Sequence, residues 1–250
     1  MKNRIGEINY NKLKNKMEII NYVSYKEVYV YFEKYDYTKK VTYQQFKNSE
    51  VACPYEPRTY GIGYLGDGEY KTKLNGKHTI YYEKWKKMLQ RCYDTKFQEK
   101  YPSYIGCRVC DEWLNFQNFA EWFENNYYEV DGEKIHLDKD ILIKGNKIYS
   151  PKTCLLVPQR INDLFVKRDN DRGNSPIGVC NPNKDNKYLV QCLQGDKSRF
   201  IGYYDNELEA FYAYKIAKES YIKEVADEYK DIIPPVVYDA LYNYEIEITD

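Results

Sequence analysis

The chain has 250 residues, enough for two or three small domains, and its 38 basic side chains are matched by 38 acidic ones, so composition alone announces no nucleic-acid binder. No apolar run is long enough to span a bilayer and no signal peptide opens the chain. The seven scattered cysteines fit reduced thiols better than a disulfide framework, which makes a cytoplasmic protein the expectation.

The charge is uneven. Residues 1–50 carry ten basic groups against six acidic ones, and residues 171–250 carry nine against fifteen. Tyrosine is heavily used, 30 residues against 9 phenylalanines, a bias that compositional drift explains. The elements predict an α+β, multi-domain chain: a module over 1–56, a linker over 57–79, a central domain over 80–168 and a last module over 169–250.

Residues 1–56 read as strand-rich. Two runs rich in Val, Ile and Tyr follow Met17, and residues 4–7 and 41–46 flank them, which predicts a small barrel of about five strands. Arg-Ile-Gly-Glu, a central Met-x-Ile-Ile and a later Tyr-x-x-Phe resemble an N-terminal module of phage-encoded HNH proteins, whose barrel is of the Src-homology type. The Gly-rich residues 57–79 show no periodicity and no phosphate-loop lysine.

Tyr81, Trp85, Met88, Leu89 and Cys92 follow helical spacing, and Phe116, Phe119, Ala120, Trp122 and Phe123 predict a second helix. Residues 135–142 alternate apolar and polar side chains like a half-buried strand. A turn over 144–147 leads to a short strand at Ile148-Tyr149, and Ser150-Pro151 predicts a helix start with Ser150 as N-cap. His136, Asp138 and Asp140 share one strand face, with Lys139 on the other.

Several spaced elements look like the phage HNH endonuclease family. They are Trp-x-x-Met-x-x-Arg-Cys-Tyr from Trp85, Val-Cys-Asp-Glu-Trp from Val109, Phe-x-x-Phe-x-x-Trp from Phe116, Leu-Asp-Lys-Asp from Leu137, Gly-Asn-x-x-Tyr-Ser-Pro from Gly145, and Cys154. The resemblance implies a ββα-metal core and metal-dependent nicking or cleavage of double-stranded DNA in a host bacterial cytoplasm. Residue by residue, Asp138 matches the family aspartate, but Lys139 stands where the base histidine belongs. Thr153 replaces the central asparagine, and Asn162 fits the last position. Lysine is a poor water-activating base at neutral pH. The candidate catalytic set is therefore His136, Asp138, Asp140 and Asn162, with Asp138 and Asn162 (or Asn146) holding Mg²⁺ or Mn²⁺ and Lys139 touching phosphate. Cys92, Cys107, Cys110 and Cys154 could hold a structural Zn²⁺, or be inert buried thiols. No small-molecule cofactor is implied.

The last module predicts strands from Ile177, Lys187 and Ser198, then a long helix capped by Asp205 or Asn206 and packed through Leu208, Phe211, Tyr212, Ile216 and Ala217. The tail from Pro234 predicts a short helix and a closing strand. Gly178-Val179, Phe-x-Gly-x-Tyr from Phe200 and Glu-Ala-x-x-Ala-Tyr from Glu209 resemble the ethylene-response-factor (apetala-two) DNA-binding domain. That resemblance implies a sheet entering the major groove, with Asn181, Lys184, Lys187, Gln191, Lys197 and Arg199 as contacts. The alternative to a nuclease is a degenerate HNH-like protein, acting as a DNA-binding regulator or as an inhibitor of a host or defence protein.

Overall fold

The computed structural model describes residues 4–166, 175–180, 186–195 and 197–250. It is a mixed α+β protein with several small sheets, and its chain divides into two compact units, Met1–Glu124 and Asn125–Asp250. The division falls inside the stretch read as one central domain. Among the described residues no helix is long and apolar enough to cross a membrane.

The first unit opens with strands β1 (Ile8–Tyr10), β2 (Lys16–Ser24), β3 (Glu27–Phe32) and β4 (Tyr37–Val41). They form an open antiparallel meander in the order β1-β2-β3-β4, and not the expected barrel. The first and last strands lie at opposite edges without pairing, and residues 43–47 form a short helix, α1 (Tyr43–Lys47), rather than a fifth strand. Thr42 fixes the start of that helix through a capping box with Gln45. Alternation places Met17 and Ile19 of β2, and Val28, Val30 and Phe32 of β3, in one fully buried layer under Phe46.

Residues 57–79, expected as a linker, are folded. The Tyr64 N–H donates to the Leu114 carbonyl at 3.0 Å, and the Phe116 N–H donates to the Tyr64 carbonyl at 2.9 Å. The glycines serve close approach: a Cβ on Gly63 would lie 2.4 Å from Leu89 and 2.9 Å from Trp85. Glycine-rich composition here reflects tight packing, which reads like flexibility in a sequence. Those side chains belong to helix α2 (Ile80–Tyr93), which buries Trp85, Met88, Leu89 and Cys92 as the spacing predicts. It ends where Asp94 accepts from the Lys96 and Phe97 N–H groups and starts a new short helix. Helix α3 (Phe116–Asn126) buries Phe116, Phe119, Ala120 and Phe123, and the Trp85 indole donates to the Trp113 carbonyl at 2.7 Å.

The second unit contains an antiparallel pair, β5 (Ile135–Asp138) and β6 (Leu155–Pro158), followed directly by a short helix, α4 (Gln159–Asp163). Then come strands β7 (Val179–Cys180), β8 (Tyr188–Gln194) and β9 (Lys197–Tyr204), an antiparallel sheet in that order. Helix α5 (Glu207–Glu228) packs on the sheet, and helix α6 (Pro235–Tyr242) packs on α5. The closing strand expected after α6 does not form.

Asn206 caps α5 by accepting from the Glu209 N–H at 2.9 Å. The buried stripe is Ala210, Phe211, Tyr214, Lys218, Tyr221, Ile222, Val225 and Ala226. Of the residues expected to pack, Phe211 is buried and Ala217 packs partly buried against the core, whereas Leu208, Tyr212 and Ile216 are exposed. Helical spacing alone could not choose between two stripes that both carry apolar residues. Gly178 sets the approach of helix to sheet: its φ is +75°, and a Cβ there would lie 2.0 Å from the Tyr214 ring. A single buried core joins Leu155, Val157, Ile161 and Leu164 with Val179, Val190, Phe211, Ile222 and Val225.

Candidate functional site

The turn after β5 is where the sequence concentrates its chemistry. Ile135 and Leu137 of β5 enter the core, so His136 and Asp138 are half-buried on the opposite side, as alternation requires. The strand ends at Asp138, short of the expected residue 142, for a local reason. Asp138 Oδ1 accepts from the backbone N–H groups of Asp140 (2.7 Å) and Ile141 (2.8 Å), which bends the chain away from the ladder. Asp140 therefore lies in the turn and does not continue a row with His136 and Asp138. Burial pushes the Asp138 carboxyl above its ordinary range, and these two N–H groups and Lys139 offset that only in part.

Lys139 is 6 % exposed. Its ammonium donates to both Asp140 oxygens (2.7 and 2.6 Å) and to the Asn146 carbonyl (2.8 Å). All three donors are thus used inside the turn, so the side chain is not presented to a phosphate. Asn146 is equally committed. Its amide donates to the carbonyls of Lys139 (2.8 Å) and Ile148 (2.7 Å), and its oxygen accepts from the Ile148 N–H at 3.0 Å.

The expected short strand at Ile148-Tyr149 forms, but the strand that pairs with β5 is residues 155–158, and the helix begins at Gln159 rather than at Pro151. Ser150 starts a turn, with the N–H groups of Thr153 and Cys154 donating to its carbonyl and Thr153 Oγ1 donating to the Ile148 carbonyl at 2.7 Å. Residues 155–158 then form β6, all four buried. A helix running from Pro151 would have set four consecutive apolar residues around its circumference and met Pro158 in its interior, where proline breaks the ladder. The chain keeps the order strand, strand, helix, with Leu155 opposite Asp138 and Val157 opposite His136. Helix α4, carrying Asn162, packs on both strands.

The donor set fits a divalent cation poorly. Asp140 is held by Lys139, Asn146 by the backbone, and one Asp138 oxygen by two N–H groups, which leaves too few oxygens for such an ion. Hard divalent ions take about six oxygens. Among the described residues no three His, Cys, Asp or Glu side chains are grouped to hold a metal ion. Cys92, Cys107, Cys110 and Cys154 form no disulfide, and burial holds the Cys110 thiol above its ordinary range, which disfavours the thiolate.

Of the expected DNA contacts, Asn181 and Lys184 lie outside the described residues. Lys187 is half-exposed and pairs with Asp205 at 3.2 Å. Gln191 stands opposite Phe200, and Ser198 Oγ donates to it at 3.3 Å. Arg199 stands opposite the buried Cys192, on the side that carries the helix, so the expected contacts do not share one face. The outer face instead presents Gln191, Leu193, Phe200 and Tyr203, the two rings 5.4 Å apart. Alternation across the two strands was the signal for this aromatic pair, but a bulge between Val190 and Gln191 shifts the register and hides it.

Comparison with protein-family models, with curated proteins and with solved structures finds no match.

Proposed function

We propose that the chain is a phage-type DNA-binding protein whose HNH-like core has become a scaffold, and that it acts as a regulator or as an inhibitor of a host or defence protein. One observation carries this reading. The residues at the family's Asp-His position, Asp138 and Lys139, are spent on holding the 138–148 turn, and Lys139 is buried. A general base needs to reach a water at the phosphate, and a buried ammonium bonded three ways cannot. DNA binding is supported by the three-stranded sheet of the second unit, with exposed Gln191, Phe200 and Tyr203 on its outer face.

The test pairs a mobility-shift titration at low salt with nicking of supercoiled plasmid in Mg²⁺ and in Mn²⁺. The expected result is binding without nicking, and no nicking by Lys139→His. Nicking that Asp138→Asn abolishes would overturn the scaffold reading.

A second reading, a metal-dependent nicking enzyme, is favoured by the antiparallel pair leading straight into the helix that carries Asn162, with His136 and Asp138 together on the outward side. Under it, His136→Ala and Asp138→Asn each abolish nicking on DNA that both variants still bind.

A further inference from the structure

Among the described residues, the outer face of the three-stranded sheet carries no charged side chain over 189–193 and the positions paired with them. Pairing sets its rows. Cys180 and Tyr203 flank Leu189, Phe200 stands opposite Gln191, and Ser198 stands opposite Leu193. The cations of β9 point the other way: Lys197 and Arg199 stand opposite Gln194 and Cys192, on the side that carries helix α5.

Phe200 and Tyr203 are three apart, so strict alternation would send their rings to opposite faces. The bulge between Val190 and Gln191 gives β9 an extra residue, Ile201, which packs against the core, and both rings come to the outer face. There they are 54 % and 55 % exposed, with centroids 5.4 Å apart.

Size and chemistry choose the occupant. The face covers about 17 Å along the strands by about 14 Å across them, roughly 240 Å². That is well short of the ~800 Å² each partner gives to a stable protein–protein contact. A duplex fits poorly as well. Its phosphates call for cations, which these outward positions lack, and its base faces are closed by stacking. Unpaired bases are open on both faces and stack on aromatic rings whatever their identity.

We propose that this face binds unpaired DNA, with one base against Phe200 and a second against Tyr203. Gln191 stands between the rows, and its oxygen accepts from Ser198 Oγ at 3.3 Å, which leaves the amide N–H groups to meet a base edge. The proposal rests on the reading of this sheet as the DNA surface and names the form of DNA it takes.

Fluorescence-anisotropy titration of the full chain tests this with a labelled single strand, the duplex of the same sequence, and a single strand of equal length without bases. The single strand should bind at least about fivefold more tightly than either of the others, the lower bound for one stacked base. Phe200→Ala and Tyr203→Ala change exposed positions, so both should fold, and each should lose about fivefold or more on the single strand. Tyr203→Phe keeps the ring and should keep the affinity. Duplex binding as tight as single-strand binding, equal binding of the strand without bases, or single-strand binding that both alanine variants retain would overturn the proposal and leave the wider DNA-binding reading standing. No binding of any DNA sinks both. Should the alanine variants fail to fold, Phe200→Leu and Tyr203→Leu, apolar but without an aromatic ring, take their place and should show the same loss. Sedimentation that finds a wild-type dimer dissolved by Phe200→Ala would give the face to a second copy of the chain and likewise overturn the proposal.

Discussion

Lys139 and Asn146 close a turn reciprocally: the lysine ammonium donates to the Asn146 carbonyl, and the Asn146 amide donates to the Lys139 carbonyl, both at 2.8 Å. Removing one side strands the other. Lys139→Met should therefore destabilise the second unit by about 1–3 kcal/mol, the range for a buried polar group left without its partner. Urea unfolding of wild type and variant checks this. A stability change within error, together with weakened DNA binding, would return Lys139 to the role of a phosphate contact.

Asp138 separates structure from chemistry. Its acceptor role survives in Asp138→Asn, whereas Asp138→Ala leaves the N–H groups of Asp140 and Ile141 without it, at a cost of about 1–3 kcal/mol. Because burial raises its folded pKa above 3.8, the native state holds the proton more tightly than the unfolded chain, and stability falls as pH rises through that window. Asp138→Asn should thus equal or exceed wild type at neutral pH, with the difference vanishing below pH 3.8. Denaturation at a series of pH values reads the sign directly.

Lys218 gives the opposite titration. Its folded pKa is lowered from 10.5, so between the two values the unfolded chain binds more protons, and stability rises with pH. The penalty is complete below the folded pKa and is relieved as pH approaches 10.5. Lys218→Met should be more stable than wild type at neutral pH and should converge with it in alkali. Melting curves of both proteins between neutral and alkaline pH test this, and parallel curves would contradict it.

Salt dependence measures how basic the DNA surface is. Among the described residues the sheet offers Lys187, Lys197 and Arg199, and Lys187 already pairs with Asp205. The slope of log affinity against log salt should therefore be shallow, no steeper than about −3 for three phosphate contacts. A slope near −6 would move the DNA site to the basic first fifty residues.

Much of the architecture was legible where one pattern had one physical solution. Trp85, Met88, Leu89 and Cys92 share one helical face, and Ile135 and Leu137 share one strand face, so their burial followed from period alone. What escaped were competitions between signals. Ser150-Pro151 is a good helix start, but residues 155–158 gained more by burying both faces in a strand. Leu208, Tyr212 and Ile216 make a helical stripe as regular as the buried one, and the close approach of Gly178 to Tyr214 is one tertiary contact that period alone does not show. At the candidate site the pairing of His136 with Asp138 was readable from alternation. The commitment of Lys139 to Asn146 was not, because it depends on how the turn folds back.

The core shared by the β5–β6 pair and the three-stranded sheet makes the second unit indivisible in inheritance as well as in folding. A fragment beginning near residue 175 would leave Val179, Phe211 and Ile222 without Leu155, Val157 and Ile161, and a fragment ending at Val166 would suffer the reverse. Recombination that joins a new three-stranded sheet to the old β5–β6 pair would break this protein unless both sides of the interior changed together. The two halves of the unit are thus bound to diverge as a pair, and the β5–β6 pair with its helix would be retained for the apolar surface it lends its neighbour, whatever becomes of the turn at Asp138.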